Sequence, residues 1–216
     1  MPLDKKTLLD AVKEAKAQSG EKKFNQTVEL ILVIKEIDMK SPEGKIQAVV
    51  DLPHVTGKPN KIMVVATGEL ALKARKAKAD KVIEKADLEA YAGKKKPLRK
   101  LANTYDVFLS EAPLMPLVGK ILGPVLGPRG KLPVPVPPNA DIASLIVKHR
   151  KTVVVRMRNQ PVIQCAIGTA DMKEEELVEN IQAILRLAEG KLKRGLKNVK
   201  LAFIKTSMGE PVEIKP

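Results

Sequence analysis

Leu8, Val12 and Ala15 recur at intervals of four and three, which predicts an amphipathic helix starting after a capping Asp4 and ending before Gly20. Over 27–37 the period shortens to two. Val28, Leu30, Leu32 and Ile34 fall on one face of a strand and Glu29, Ile31, Val33 and Lys35 on the other, so the strand is apolar on both faces at its centre. Ser41-Pro42-Glu43-Gly44 has Pro and Gly where a type I turn takes them, and 46–51 reads as the returning antiparallel strand.

Turn formers over 52–60 mark a linker, and the pattern changes behind it. Short apolar runs at 62–66, 82–83 and 106–109 alternate with helical patterns over 69–79, 88–102 and 114–122, as in βαβ crossovers on a parallel sheet. A Gly/Pro-rich loop follows, then a helix over 140–150. Long strands return at 153–157 and 162–167, with a turn at Asn159-Gln160-Pro161 between them. Glu174, Glu175 and Glu176 open a helix whose buried stripe is Leu177, Ile181, Ile184, Leu185 and Ala188, and 199–205 is a last strand. The opening α-β-β and closing β-β-α-β segments are each small for a separate core. Joined, they give one discontinuous α/β domain (an α+β sandwich) from 1–59 and 155–216, with a Rossmann-like α/β domain, 60–154, inserted through two adjacent linkers.

Charge narrows the partner class. With 39 basic and 25 acidic residues the chain carries +14, which makes a polyanion the default partner. The inserted segment is the more basic part, with Lys94-Lys95-Lys96, Arg99 and Lys100, and the ladder Lys73, Arg75, Lys76, Lys78 and Lys81, as candidate phosphate contacts. Aromatic residues are scarce (Phe 3, Tyr 2, Trp 0), so recognition by stacking successive bases on rings is disfavoured. One cysteine, Cys165, excludes an intramolecular disulfide or a multi-thiolate metal site, and its apolar strand makes it an inert thiol. His54 and His149 are too few for a histidine metal centre. No apolar run reaches the ~20 residues of a membrane span, and a cytosolic, soluble protein is expected.

Gly123-Pro124-Val125-Leu126-Gly127-Pro128-Arg129-Gly130-Lys131 fits neither phosphate-loop spacing, and its prolines remove two amide donors. It reads as a rigid surface loop with Arg129 and Lys131 available to a phosphate, leading into an extended, stiff spacer at 132–138. Thr206-Ser207-Met208-Gly209 after the last strand offers hydroxyls and a glycine that lets backbone approach a partner closely.

Several segments, in chain order, resemble the large-subunit ribosomal protein L-one family in its archaeal form. They are Lys23-Phe24 through Thr27-Val28-Glu29, Leu52-Pro53-His54, Ile121-Leu122-Gly123-Pro124 with Gly130-Lys131-Leu132-Pro133, Asn180-Ile181 within the helix 176–187, and Thr206-Ser207-Met208-Gly209-Glu210-Pro211. The resemblance implies the same two-domain division, and a free monomer that binds 23S-type rRNA of the large subunit's mobile side stalk, mainly through the discontinuous domain, in the cytoplasm. It further implies assistance to release of deacylated tRNA from the exit site, and repression of the protein's own mRNA. Carried over by motif, Lys23, Phe24, Thr27, Glu29 and Gln160, with Thr206, Ser207, Met208 and Gly209, line the RNA surface; Ser207 stands where the family commonly has Thr. No catalytic residue, metal or cofactor is implied. The alternative function is a nucleotide-dependent enzyme using the inserted parallel sheet, a reading that rests on fold analogy.

Overall fold

The computed structural model describes residues 4–20, 22–38, 46–157 and 160–214. The turn expected at 41–44 and Asn159 lie outside the described residues. In chain order the chain forms α1 (Lys5–Ala17), β1 (Thr27–Ile34), β2 (Gln47–Asp51), β3 (Ile62–Val65), α2 (Gly68–Lys76), β4 (Lys81–Ile83), α3 (Lys85–Ala90) and α4 (Lys95–Thr104). It continues with β5 (Val107–Glu111), α5 (Met115–Leu126), β6 (Val134–Val136), α6 (Ile142–Arg150), β7 (Thr152–Arg156), β8 (Val162–Thr169), α7 (Glu174–Lys191), β9 (Val199–Thr206) and β10 (Val212–Glu213).

Two compact units result, one from Met1–Pro59 with Lys151–Pro216 and one from Asn60–Arg150. The return crossing therefore falls before 151 and not at 155, because β7 pairs along its whole length with β2, from Asp51↔Thr152 to Gln47↔Arg156. In the first unit β1 lies between β8 and β9 in an antiparallel sheet of order β10-β9-β1-β8. The strand expected at 46–51 does not return along β1. It forms a two-stranded sheet with β7, so each strand of the first half pairs with one from the second half.

The period-two pattern of β1 decides what that sheet covers. Val28, Leu30, Leu32 and Ile34 are buried with Ile163, Ile167, Ala202 and Ile204, in one core with Leu8, Val12, Leu177, Ile181 and Ile184 from α1 and α7. Each buried Val, Leu or Ile side chain among them contributes ~1.5–3 kcal/mol relative to exposure. The opposite face carries Glu29 in register with Ala166 and Lys205, and Ile31 with Gln164 and Phe203. Cys165 is buried on the core side, and burial pushes its thiol pKa up to about 12. At neutral pH it holds its proton and is no nucleophile.

Asn180 of α7 is the main polar group inside this core. Fully buried, its amide donates to the carbonyls of His54 (3.2 Å) and Ile167 (2.8 Å), and its oxygen accepts the His54 N–H (3.0 Å). The segment after β2 is thereby clamped to α7 and β8. On the outside of the clamp the His54 ring meets Glu179 at 2.7 Å, and this hydrogen bond holds the Glu179 carboxyl below its ordinary value.

The second unit has a four-stranded parallel sheet of order β4-β3-β5-β6, covered by α3, α4 and α5 on one face and by α2 and α6 on the other. The single helix expected over 88–102 is broken in two. Gly93, at φ +76°, turns the chain between α3 and α4. The expected loop 123–131 is largely helical: α5 runs through Pro124 to Leu126, and residues 127–129 add one 3₁₀ turn. Val125 and Leu126 are buried, so tertiary packing overrides the local cost of Pro and Gly. Among the described residues no helix is long and apolar enough to cross a membrane.

Replacing Asn180 by Ala leaves the part-buried His54 N–H and the buried Ile167 carbonyl without their partner. Urea unfolding is expected to show a loss of ~2–3 kcal/mol, with little change in the second unit's own transition.

Candidate nucleic-acid interface

β1 and β9 are antiparallel neighbours with Val28 opposite Thr206, so the start of β1 and the loop after β9 meet at one end of the sheet. There the predicted Lys23, Phe24, Thr27 and Glu29 come together with Thr206, Ser207, Met208 and Gly209. Ser207 is the pin: its Oγ accepts the Thr27 N–H (3.2 Å) and donates to the Thr27 carbonyl (3.4 Å). Lys205 Nζ donates to the Thr206 and Ser207 carbonyls, both at 3.2 Å, which brings a cation against the loop backbone.

Inside the loop, Thr206 is fully buried and its Oγ1 accepts the Gly209 N–H at 3.1 Å. A Cβ on Gly209 would lie 2.3 Å from that hydroxyl oxygen, so only glycine closes the turn this tightly. Both hydroxyls expected to face a partner are thus spent on shaping the loop. The outward groups are Met208, 65% exposed, and Phe24, 51% exposed, with Lys23 and Ser207 also exposed.

Gln26 joins the site without having been among the residues the sequence singles out. It is 3% exposed, donates to the Ser19 carbonyl at the end of α1 (2.9 Å) and accepts the Met208 N–H (3.0 Å). One side chain therefore ties helix, strand and loop together. No pattern flags it, because glutamine is usually exposed and Gln26 sits just ahead of the alternating run. The Ala170 N–H donates to the Gln26 carbonyl (2.9 Å), and hydrogen bonds from Thr169 and Asn25 hold the Asp171 carboxyl below its ordinary value. The approach to β1 is thus fixed from a third side.

Along the open face, the Glu29 carboxylate accepts from Gln164 Nε2 at 2.8 Å and remains half-exposed. Gln164 and Lys205 are further additions to the predicted set; the pleat places them beside Glu29, which is readable only once the strand partners are known. Gln160 does not join the site. It precedes β8 at the end where Val162 pairs with Val33, on the order of 20 Å along the sheet from Thr27.

In the second unit the expected phosphate contacts sort into two groups. Lys73 pairs with Glu69 (2.8 Å), Arg75 pairs with Glu84 (2.7 Å), and Lys81 lies 6.0 Å from the centroid of the Tyr91 ring. Lys131 is likewise taken: its ammonium donates to the Ala102 and Tyr105 carbonyls and meets Asp106. Arg129 donates to the Val125 carbonyl and to Asn103. Lys94, Lys95, Lys96, Arg99 and Lys100 make no ion pair with a described residue. A nucleotide phosphate would be drawn to the start of α2, at the carboxyl end of β3. There the Glu111 carboxylate already accepts from the Thr67 N–H and Oγ1, both at 2.9 Å, and a carboxylate repels phosphate.

Comparison with known proteins matches residues 12–210 to the description "Ribosomal protein L1p/L10e family". Three archaeal relatives carry the name large ribosomal subunit protein uL1. That of Pyrococcus abyssi is 44% identical over 216 residues, covering 100% of this chain and 98% of its own. That of Methanothermobacter thermautotrophicus is 44% identical over 207 residues, covering 96% and 98%. That of Methanocaldococcus jannaschii is 43% identical over 213 residues, covering 99% and 97%. A chain matched over nearly its whole length by both comparisons belongs to the ribosomal protein L1p/L10e family.

Proposed function

We propose that this protein is a cytoplasmic component of the large ribosomal subunit that binds 23S-type rRNA of the side stalk, and that it has no enzymatic activity. The observation that carries the reading is the locked loop of the first unit: Gln26, Ser207 and Gly209 fix it from within while Met208 and Phe24 stand exposed at the same end of the sheet. A surface whose polar groups are already satisfied internally offers shape. Irregular RNA is recognised in that way, through a shallow groove, 2′-hydroxyls and splayed bases. Glu29 supplies an acceptor for a 2′-OH or a base amine, Lys23 and Lys205 supply cations, and Phe24 one aromatic face.

The carried-over residues then divide by task. Lys23, Phe24, Glu29 and Met208 touch RNA; Thr27, Thr206, Ser207 and Gly209 position them. The lysines of α4 that lack an acidic partner among the described residues add charge-driven binding, to rRNA or to deacylated tRNA leaving the exit site. The same first-unit surface binds a similar fold in the protein's own mRNA and represses its translation. A competition assay between a stalk rRNA fragment and the leader RNA tests that part.

Met208→Asp is expected to weaken binding of the stalk rRNA fragment at least ~10-fold in a filter or anisotropy assay, since a carboxylate would face phosphates, while the melting temperature holds. Thr206→Ala should weaken it because the Gly209 N–H loses its acceptor. Unchanged affinity in both variants would refute the assigned surface. Neutralising Lys94, Lys95 and Lys96 together should lower the slope of log K against log salt by ~0.7–0.9 for each phosphate no longer neutralised, and leave the preference for stalk RNA intact. An unchanged slope would show that these lysines touch no phosphate.

A further inference from the structure

Three cations of the second unit that have no acidic partner among the described residues, Lys95, Arg99 and Lys120, border a groove of about 770 Å³. Its floor is the nearly buried outer wall of the core packed under α4 and α5, at Leu98, Ile121 and Val125, and the exposed Ala92, Pro124 and Pro128 add the accessible apolar surface. Its rim carries Lys95, Arg99, Lys120 and Arg129. Of these, Lys95, Arg99 and Lys120 make no ion pair with a described residue, and Arg129 is steadied by Asn103 and the Val125 carbonyl.

The chemistry of this lining is unusual for a surface that meets nucleic acid. Among the described residues, no Ser, Thr, Asn, Gln or aromatic side chain lines it. A nucleotide base placed on this floor would leave its polar edges dehydrated without side-chain partners, and would find no ring to stack on. A phosphate backbone alone would use the rim and leave the apolar floor wet. An occupant that satisfies both parts has aliphatic side chains on one face and carboxylates on either side of them. The groove walls are helices, so strand addition to a sheet edge is ruled out as the mode, and a helix laid in a groove is the one that fits.

We propose that this groove is a docking site for an acidic amphipathic helix of a partner protein, presenting aliphatic side chains to Ala92, Pro124 and Pro128 over the floor at Leu98, Ile121 and Val125, and Asp or Glu side chains to Lys95, Arg99 and Lys120. Volume supports this. At about 770 Å³ the groove falls within the ~300–1,000 Å³ of pockets that enclose a drug-sized ligand, room for side chains of comparable bulk. Charge complementarity gives the orientation, because the cations flank the apolar floor.

The test uses the full chain and a fluorescein-labelled 18-residue helical peptide with Leu at i, i+4 and i+7 spacing and Glu on both flanks. Saturable binding in anisotropy, with amide shifts confined to 92–99 and 120–129, is expected. A Leu→Ser version of the peptide should bind at least tenfold more weakly. Lys95→Glu, Arg99→Glu and Lys120→Glu together should also weaken binding at least tenfold; all three residues are exposed, so the fold is retained, which circular dichroism checks. Ala92→Trp, which fills one end of the groove from an exposed position, should reduce affinity with the charges intact. Equal binding of the Leu→Ser peptide would overturn the proposal by reducing the site to a charged patch. So would absence of saturation below 1 mM peptide (~−4 kcal/mol). Displacement of the peptide by a single-stranded RNA oligonucleotide that shifts the same floor amides would overturn it in favour of a nucleic-acid groove.

Discussion

The antiparallel pairing of β1 with β8 on one side and β9 on the other is the constraint on which the first unit depends. The strand from the first fifty residues is central, and both of its partners come from beyond residue 160, as Leu30 opposite Cys165 and Ile204 shows. Neither end of the chain can hide β1's apolar face by itself, since the covering core draws Leu8 and Val12 from one end and Ile181 and Ile184 from the other. Joining strands so far apart in sequence has an entropic cost that grows only slowly with the length between them, so an inserted unit of ninety-odd residues is tolerable. The condition is that its two ends leave from neighbouring places. β2 and β7 meet it, with Asp51 opposite Thr152 and the Leu52 N–H on the Lys151 carbonyl at 3.2 Å. The two-stranded sheet is therefore the gate of the insertion as well as a piece of core.

The candidate interface is a by-product of the same pairing. Thr27 and Ser207 are 180 positions apart and touch only because β1 and β9 are registered Val28 to Thr206. A shift of one residue would turn Glu29 and Lys205 into the core and expose Leu30 and Ile204, which the burial of the opposite face forbids. Register, fixed by hydrophobic alternation, thus also fixes which polar groups face outward and where the loop falls. The loop's internal hydrogen bonds then reduce the ordering cost of binding, because backbone and side chains are held before a partner arrives.

Much of this could be read from the residues alone, and the boundary of legibility has physical reasons. Alternation in β1 and the 3.6 period in α7 are strong because burial on one face leaves no other solution, and the sequence pattern places Leu177, Ile181 and Ile184 correctly. Partnership is different. Two strands flanking a turn are taken as a hairpin by proximity, and here 46–51 pairs across the chain because its apolar residues complete α7's core. The helix through Pro124 is illegible because its cost is local and its compensation, burial of Val125 and Leu126, is tertiary. Gln26 and Asn180 are illegible as a type: a buried amide is recognised by the groups around it and leaves no period in the sequence.

The distribution of charge argues for a division of labour between the two units. Carboxylates neutralise Lys73 and Arg75 in the second unit, and Lys131 is consumed by backbone carbonyls and Asp106, so a count of basic residues overstates the usable charge there. The densest run that survives is Lys94-Lys95-Lys96 with Arg99 and Lys100, at the start of α4 and along it. Such a cluster attracts polyanions over about a Debye length, ~8 Å at physiological salt, without discriminating among them. At the first unit's loop, Lys205 is held by the Thr206 and Ser207 carbonyls and the geometry is fixed from within, which is what discrimination requires, since selectivity comes from contacts a wrong partner cannot make. The more basic half need not be the more specific half. Under the proposed function, positive charge sets how readily this protein meets an acidic partner, and the locked end of β1 and β9 sets whether the encounter lasts.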